Sequence, residues 1–277
     1  FTFNVAQLLV EEGAHVVIFR NDKVSIETLE SLRPVNMVIS PGPGHPLTDA
    51  GISLACIKHF GGQIPILGIC MGLQCVTVAF GGVVSGAGEI FHGKTSMMQH
   101  DGCGLFAGLS TSVPITGTRY HSLCAQIDAV PDVLRETAHV DSGVVMGLRH
   151  KTYTIEAVQY HPESVMSEYG HEMVRNFLSW RGGTWAENPH VLNTPASAGP
   201  STSESILTRI FRQRKLDVAQ SQTIPGRSLA DLEASIALQL DPVRIDFPRR
   251  LLHGTERGIV PGIMAEIKRA SPSKGDI

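Results

Sequence analysis

The chain has 277 residues, of which 42% are hydrophobic and 18% are charged, a composition typical of a folded globular protein with room for two domains. Its 26 acidic and 23 basic residues give a formal net charge of −3, which argues against nucleic acid or an anionic membrane surface as a partner. No apolar run approaches the roughly 20 residues of a membrane-spanning helix. The five cysteines form no CxxC pair, which predicts a reducing, cytoplasmic compartment without disulfides.

Short apolar runs alternate with helical patterns along the first part of the chain. This βαβ rhythm predicts an α/β fold with a doubly wound sheet that is covered by helices on both faces. The shorter, glycine-punctuated runs over 83–160 predict added antiparallel strands, so the sheet is expected to be mixed. Strands are predicted at 15–19, 35–40, 64–69 and 153–160, and helices at 49–60, 70–80 and 168–180.

The composition changes after the last of these helices. Residues 182–205 are rich in Gly, Pro, Ser, Thr and Asn, which predicts an interdomain linker. Beyond it, 206–219 has the pattern of an amphipathic helix whose basic residues form a solvated face. Ser228 is a candidate N-cap for a helix that runs to Leu240, and 262–269 (GIMAEIKR) is predicted to be a strand.

One cysteine lies between two glycines at the end of an apolar run, in the stretch Gly68-Ile69-Cys70-Met71-Gly72. This G-x-C-x-G spacing is the cysteine counterpart of the nucleophile elbow, a sharp strand-to-helix turn that projects a reactive side chain. A helix N-terminus is expected to lower the pKa of the thiol, and the amide after the cysteine can face an oxyanion. The alternative is that Cys70 is a small buried hydrophobic residue, which is the better interpretation of Cys75.

A thiolate nucleophile needs a base and a group that orients the base. The stretch AVQYHPES supplies both, since His161 follows a predicted strand and Glu163 comes two residues later. The stretch SPGPGHP follows another strand end, and the main-chain N–H groups of Gly42 and Gly44 can hold a carboxylate or an oxyanion there. Each feature alone is common in loops, and their combination is what indicates a catalytic site.

The order PGPG, then G-x-C-x-G-x-Q, then H-P-E resembles the class I glutamine amidotransferases. The stretches HGKTS, TRYHSL, GLRH and VQYHPES are similar to the glutaminase subunit of anthranilate synthase, and the resemblance covers 1–181. It implies Cys70 as nucleophile, His161 as general base and acid, and Glu163 as the group that orients the histidine. It also implies a glutamine site formed by Gly42, Pro43, Gly44, Gln74, Ser122 and Leu123.

The resemblance further implies that no cofactor is needed and that the partner is a separate chorismate-using chain, anthranilate synthase component I, with glutamine as the substrate. The family's first strand would precede Phe1, so we expect the domain 1–181 to lack it. Two alternatives stay open: the glutaminase subunit of aminodeoxychorismate synthase, which has similar motifs, and a non-catalytic amidotransferase-like binding module.

The stretch MAEIKRASPSKG resembles the first barrel strand of indole-3-glycerol-phosphate synthase. That resemblance implies that Glu266 and Lys268 belong to a ring-closing site and that Ser271 contacts substrate. Because a (β/α)₈ barrel needs about 250 residues, 206–277 is expected to be a truncated beginning of one. The combination is similar to the fungal-type multifunctional proteins of tryptophan biosynthesis, which implies further synthase and phosphoribosylanthranilate isomerase activities in a full-length protein.

Two further patterns are weaker. Residues 88–95, GEIFHGKT, satisfy the phosphate-binding pattern G-x-x-x-x-G-K-T, but no helix pattern follows Lys94, so phosphate binding is not expected. The histidines show no spacing with cysteines or carboxylates that is typical of a metal site, so none is predicted.

Overall fold

The chain divides into two compact units, Phe1–Ile210 and Phe211–Ile277. A computed structural model describes nearly all of the first unit and short parts of the second. The described residues are 1–192, 214–215, 218–220, 222–223, 228–238, 270–271 and 275–276.

A seven-stranded mixed sheet forms the centre of the first unit, with the strand order β1-β2-β7-β6-β5-β3-β4. Its first three strands are parallel, and the other four join antiparallel to one another and to β7. The predicted mixed α/β sheet is therefore confirmed. The strands are β1 (Met37–Ile39), β2 (Ile66–Ile69), β3 (Val84–His100), β4 (Ile115–Ala125), β5 (Leu134–Val140), β6 (Val145–His150) and β7 (Ile155–Val158).

Helices cover both faces of this sheet. They are α1 (Thr2–Glu11), α2 (Ile26–Ser31), α3 (Ser53–Phe60), α4 (Met71–Ala79), α5 (Gly170–Ser179) and α6 (Pro189–Leu192). Successive side chains of a strand point to opposite faces, so the fully apolar β2 contributes to two cores. Ile66 packs with α3 and α4, whereas Leu67 and Ile69 pack with α1 and α5.

The strand predicted at 15–19 is wrong. Residues 14–20 have no regular secondary structure, and within the described part of the chain they pair with no strand. Three of the apolar side chains that suggested a buried strand, Val17, Ile18 and Phe19, are exposed. An apolar run becomes a strand only where a neighbour supplies main-chain hydrogen bonds, and none of the described segments supplies them to this run.

The first part of the predicted linker packs against the first unit. Trp185, Asn188 and Val191 are buried, and the Trp185 indole Nε1 donates to the main-chain carbonyl of His150 at 2.6 Å. Packing thus continues to Leu192, past the predicted domain end at 181. The remainder of the predicted linker lies outside the described residues.

The second unit is described in parts. Helix α7 (Leu229–Ala237) begins after the predicted cap: Ser228 Oγ accepts from the main-chain N of Asp231 at 3.1 Å, and Asp231 Oδ2 accepts from the main-chain N of Ser228 at 3.0 Å. Two short strands, β8 (Ala270–Ser271) and β9 (Gly275–Asp276), pair antiparallel. The predicted strand 262–269 and most of the predicted helix 206–219 lie outside the described residues. Glu266 and Lys268 lie there as well.

The apparent phosphate-binding pattern at 88–95 is part of strand β3. Lys94 pairs with Arg119 of β4, and β3 continues to His100 without a helix, so the pattern lacks the helix N-terminus that holds phosphate. No helix among the described residues combines the length and apolar character needed to cross a membrane.

Candidate active site

Cys70 lies in the sharp turn between strand β2 and helix α4. Its φ is +54°, a left-handed conformation that is unfavourable for any residue other than glycine. The main chain holds this conformation from both sides: Cys70 N donates to the Val158 carbonyl at 2.7 Å, and its carbonyl accepts from Leu73 N at 3.0 Å. The elbow predicted from the sequence is therefore present.

The two glycines of G-x-C-x-G are needed because the turn is packed tightly against neighbouring main chain. A Cβ at Gly68 would lie 2.7 Å from the carbonyl group of Gly72. A Cβ at Gly72 would collide with the carbonyl oxygen of Ile39 at the end of β1. Both glycines thus allow α4 to begin directly against the strands.

The thiol of Cys70 is buried, and this changes its acidity. Burial and, to a lesser extent, the charge of Glu163 raise the pKa of the Cys70 thiol, which is about 12. Hydrogen bonds from the Met71 amide and from Gln159 act in the opposite direction. The net lowering of the thiol pKa expected from the helix N-terminus is therefore wrong for this state, because desolvation of the thiolate outweighs it.

His161 and Glu163 form a buried pair. His161 Nδ1 lies 2.6 Å from Glu163 Oε1, and the main-chain N of His161 donates to the Thr118 carbonyl at 2.9 Å. A carboxylate only accepts hydrogen bonds, so the pair places the proton on Nδ1 and leaves Nε2 free to act as a base. His161 Nε2 is indeed buried without a hydrogen-bond partner among the described residues.

Strand order brings the three predicted sequence motifs to one edge of the sheet. Strands β1, β2 and β7 are parallel neighbours, and their carboxyl ends lead into the PGPG loop, Cys70 and the segment of His161 respectively. This edge is where open α/β sheets bind ligands. The loop is close to the elbow, since a Cβ at Gly42 would lie 3.2 Å from the Met71 sulfur.

The other residues of the predicted glutamine site differ in their surroundings. Gly44 has a φ of +89° and Pro43 precedes it in the loop. Gln74 is buried on α4, and its Nε2 donates to the Leu123 carbonyl at 3.1 Å, which connects α4 to β4. Ser122 is exposed beside Leu123.

Sequence reasoning missed Gln159. This side chain is fully buried, its Nε2 donates to Cys70 Sγ at 3.6 Å, and its Oε1 accepts from Gln74 Nε2 at 3.3 Å. The signal was present in AVQYHPES, because a continuous extended chain through the predicted strand 153–160 would place the polar Gln159 on the same side as His161 two positions later.

A second buried polar group adjoins this one. Arg119 Nε donates to His121 Nε2 at 3.0 Å, and His121 Nδ1 is 3.0 Å from the Leu123 carbonyl. Arg119 also forms an ion pair with Glu89. Burial, together with the charge of Arg119, lowers the pKa of His121 to about 4, so this imidazole is neutral at neutral pH.

Within the described part of the chain, no three His, Cys, Asp or Glu side chains come together in a way that could hold a metal ion. All five cysteines are free.

Comparison with known proteins agrees with this geometry. The family model "Glutamine amidotransferase class-I" matches residues 1–180. A solved structure of a putative GMP synthase component from Thermoplasma acidophilum superposes with a TM-score of 0.56 at 28% identity, covering 64% of this chain and 86% of that one.

Two kinds of curated protein are similar in sequence. Multifunctional tryptophan biosynthesis proteins from Phycomyces blakesleeanus and Pichia angusta are each 49% identical across the whole chain, which spans 38% and 73% of their lengths. Anthranilate synthase component 2 of Pseudomonas putida is 50% identical over 66% of the chain and 93% of its own length. On the family match and these identities, the chain belongs to the class I glutamine amidotransferases.

Proposed function

We propose that residues 1–192 hydrolyse glutamine through Cys70, His161 and Glu163 and supply the ammonia to a separate synthase chain. The observation that carries this proposal is that a strained, glycine-flanked cysteine and a carboxylate-paired histidine follow adjacent parallel strands at the same carboxyl edge of the sheet.

The reaction begins with transfer of the thiol proton to His161 Nε2 while Cys70 Sγ bonds to the carboxamide carbon of glutamine. The carbonyl oxygen becomes an oxyanion, which the Met71 amide and the main chain near Gly42 stabilise. The carbon–nitrogen bond then breaks, and His161 returns its proton to the nitrogen, which leaves as ammonia. Water, activated by the same imidazole, hydrolyses the glutamyl thioester to glutamate and regenerates the thiol.

The high pKa of Cys70 is consistent with a thiol that stays protonated until substrate binds. At neutral pH a thiol with a pKa of about 12 is almost wholly protonated, so an attacking thiolate forms only when the proton passes to His161. Glu163 supports that transfer because its carboxylate stabilises the imidazolium that results.

We propose anthranilate synthase component I, a chorismate-using chain, as the partner. The names of the relatives support tryptophan biosynthesis over the alternative of aminodeoxychorismate synthase, since they include both the multifunctional proteins and an anthranilate synthase component 2. The test mixes the full-length protein with each candidate synthase and measures which aminated chorismate product depends on glutamine.

The decisive variant is Cys70→Ser in the full-length protein with its partner. We expect glutamine-dependent product formation to disappear and ammonia-dependent formation to remain. Cys103→Ser is the matched control, because a hydroxyl can still donate to the Leu192 carbonyl that the Cys103 thiol reaches at 3.4 Å. Unchanged glutamine use by Cys70→Ser would contradict the role of Cys70 as nucleophile, whereas an unaltered complex that uses only ammonia would support the non-catalytic alternative, a binding module.

For the second unit we propose a role in indole-3-glycerol-phosphate synthesis within a full-length multifunctional protein, with Glu266 and Lys268 in the ring-closing site and Ser271 near substrate. The whole-chain identity to multifunctional relatives supports this. Turnover of carboxyphenylamino-deoxyribulose phosphate by the full-length protein should be lost in Lys268→Ala and Glu266→Gln. Retained turnover in both would contradict the proposal.

A further inference from the structure

Gln159 contacts both Cys70 and Gln74, a residue of the predicted glutamine site. It follows strand β7 directly, its main-chain N donates to the Met146 carbonyl at 2.9 Å, and its side chain is fully buried. The adjoining Val158 carbonyl accepts from Cys70 N at 2.7 Å, so main-chain hydrogen bonds fix both residues beside each other.

The orientation of the Gln159 carboxamide is set by its neighbours. The Leu123 carbonyl can only accept hydrogen bonds, so the atom of Gln74 that faces it at 3.1 Å must be the amide nitrogen. Because the Gln74 amide nitrogen is a donor, the Gln159 atom that lies 3.3 Å from it must be an acceptor, which is the carboxamide oxygen. The remaining end of the Gln159 carboxamide, its NH₂ group, must therefore face Cys70 Sγ.

A donor aimed at sulfur has two effects. It occupies a sulfur lone pair, which leaves the S–H bond to point elsewhere, and it stabilises negative charge as the proton leaves. A reversed carboxamide would instead direct a carbonyl oxygen at the developing thiolate and repel it. The orientation of the Gln159 carboxamide, which Gln74 sets, thus decides whether Gln159 favours or opposes ionisation of the thiol.

We infer that Gln159 is a positioning residue for the nucleophile. The orientation of its carboxamide is fixed by Gln74, whose own orientation is fixed by the Leu123 carbonyl. This inference rests on the proposed role of Cys70 and adds a residue that holds the sulfur in its reactive state. Gln74 then has a second role in addition to any contact with substrate, because it keeps the NH₂ group of Gln159 directed at the thiol.

The test measures alkylation of Cys70 by iodoacetamide at pH 8 in the full chain, with Cys70 identified by peptide mass mapping and without glutamine or partner. Gln159→Met has a similar volume and no donor, and we expect it to slow alkylation about tenfold, because loss of one hydrogen bond to a thiolate raises its pKa. Gln159→Glu should slow it further, since a carboxylate repels the thiolate. Gln74→Met should slow it less than Gln159→Met.

The direction of the change in alkylation rate distinguishes a positioning role of Gln159 from a role in packing alone. Loosened packing would expose the thiol and speed alkylation, so a rate in Gln159→Met equal to or above that of the unaltered chain would overturn the inference. Far-UV circular dichroism checks folding. If Gln159→Met does not fold, Gln159→Asn keeps an amide, withdraws the donor from sulfur by one methylene, and is expected to show the same slowing.

A second readout follows glutamine turnover in the complex. A positioning role predicts a kcat about tenfold lower in Gln159→Met with KM within twofold, whereas a substrate-binding role would raise KM. Should the unaltered complex fail to use glutamine while Gln159→Met still slows alkylation, the proposed function would fail and the positioning role would stand.

Discussion

His161 Nδ1 lies 2.6 Å from Glu163 Oε1, and both side chains are almost completely buried. This contact holds the proton on Nδ1 and so leaves Nε2 unprotonated, which the proposed role of His161 as base requires. Glu163→Gln can turn its NH₂ group toward Nδ1 and thereby move the proton to Nε2, where it blocks proton transfer from Cys70. We expect glutamine-dependent kcat to fall by roughly 100-fold or more, with ammonia-dependent activity retained.

The control for this change is Glu168→Gln. Glu168 Oε2 accepts from the main-chain N of Thr116 at 2.7 Å, a contact that an amide oxygen can also make. Steady-state kinetics on both variants in the partner complex should show the loss in Glu163→Gln alone. Equal kcat in the two variants would mean that the carboxylate does not set the tautomer of His161.

A methyl group at Gly72 should disrupt the elbow. Its Cβ would collide with the Ile39 carbonyl oxygen, so α4 could not begin where it does. We expect Gly72→Ala to abolish glutaminase activity and to lower the melting temperature. Gly86→Ala is the control, because nothing lies within 4 Å of a Cβ at Gly86 and its φ is ordinary. Calorimetry and a glutamate-release assay on both variants check this, and full activity in Gly72→Ala would contradict it.

A buried ion pair, Arg149 with Glu156, explains why residue 104 is a glycine. Arg149 donates to Glu156 at 2.8 and 3.0 Å, and a Cβ at Gly104, which has a φ of +62°, would collide with both side chains. Breaking a buried pair is costly, so Gly104→Ala should destabilise the fold by about 3 kcal/mol or more. Gly108 also has a positive φ but open space around it, so Gly108→Ala should cost only about 1 kcal/mol. Urea unfolding of both variants measures the difference, and equal losses would show that only φ matters.

The neutral His121 predicts a pH dependence of stability. Its pKa falls from 6.5 to about 4 on folding, because burial and Arg119 disfavour the imidazolium. A group whose pKa is lowered by folding stabilises the protein above its unfolded pKa, and that contribution is lost as pH falls from about 6.5 to about 4. The loss is about 3 kcal/mol.

Urea unfolding at pH 7 and pH 4 checks this in the unaltered chain and in His121→Asn. The asparagine amide can still donate to the Leu123 carbonyl from the position of His121 Nδ1, and asparagine does not titrate in this range. The variant should therefore lose about 3 kcal/mol less over the same interval. Parallel losses in the two proteins would mean that His121 is protonated in the folded state.

The sequence predicted the turn at Cys70 better than it predicted the edges of the fold. The elbow at Cys70 was predictable because glycine spacing reports local main-chain geometry. The strand at 15–19 was mispredicted because pairing depends on a neighbouring strand, which apolar patterning does not reveal. The extension of packing to Val191 was missed because a Gly- and Pro-rich composition concealed two buried side chains, Trp185 and Val191.

The acidity of Cys70 was mispredicted for a related reason. A helix N-terminus is visible in the sequence, whereas the degree of burial around a thiol depends on contacts from distant elements. Gln159 illustrates the same limit, since its partners Cys70 and Gln74 lie 89 and 85 positions earlier in the chain.

The parallel pairing of β2 with β7 has a consequence for synthesis of the protein. Cys70 and Gln159 are 89 positions apart, and strands β3 to β6 are made between them. During translation, a nascent chain that has not yet emerged as far as β7 contains the cysteine but neither its histidine nor its amide donor. Closing so long a loop is slow, so reactivity should arise late in folding, after the antiparallel strands have formed.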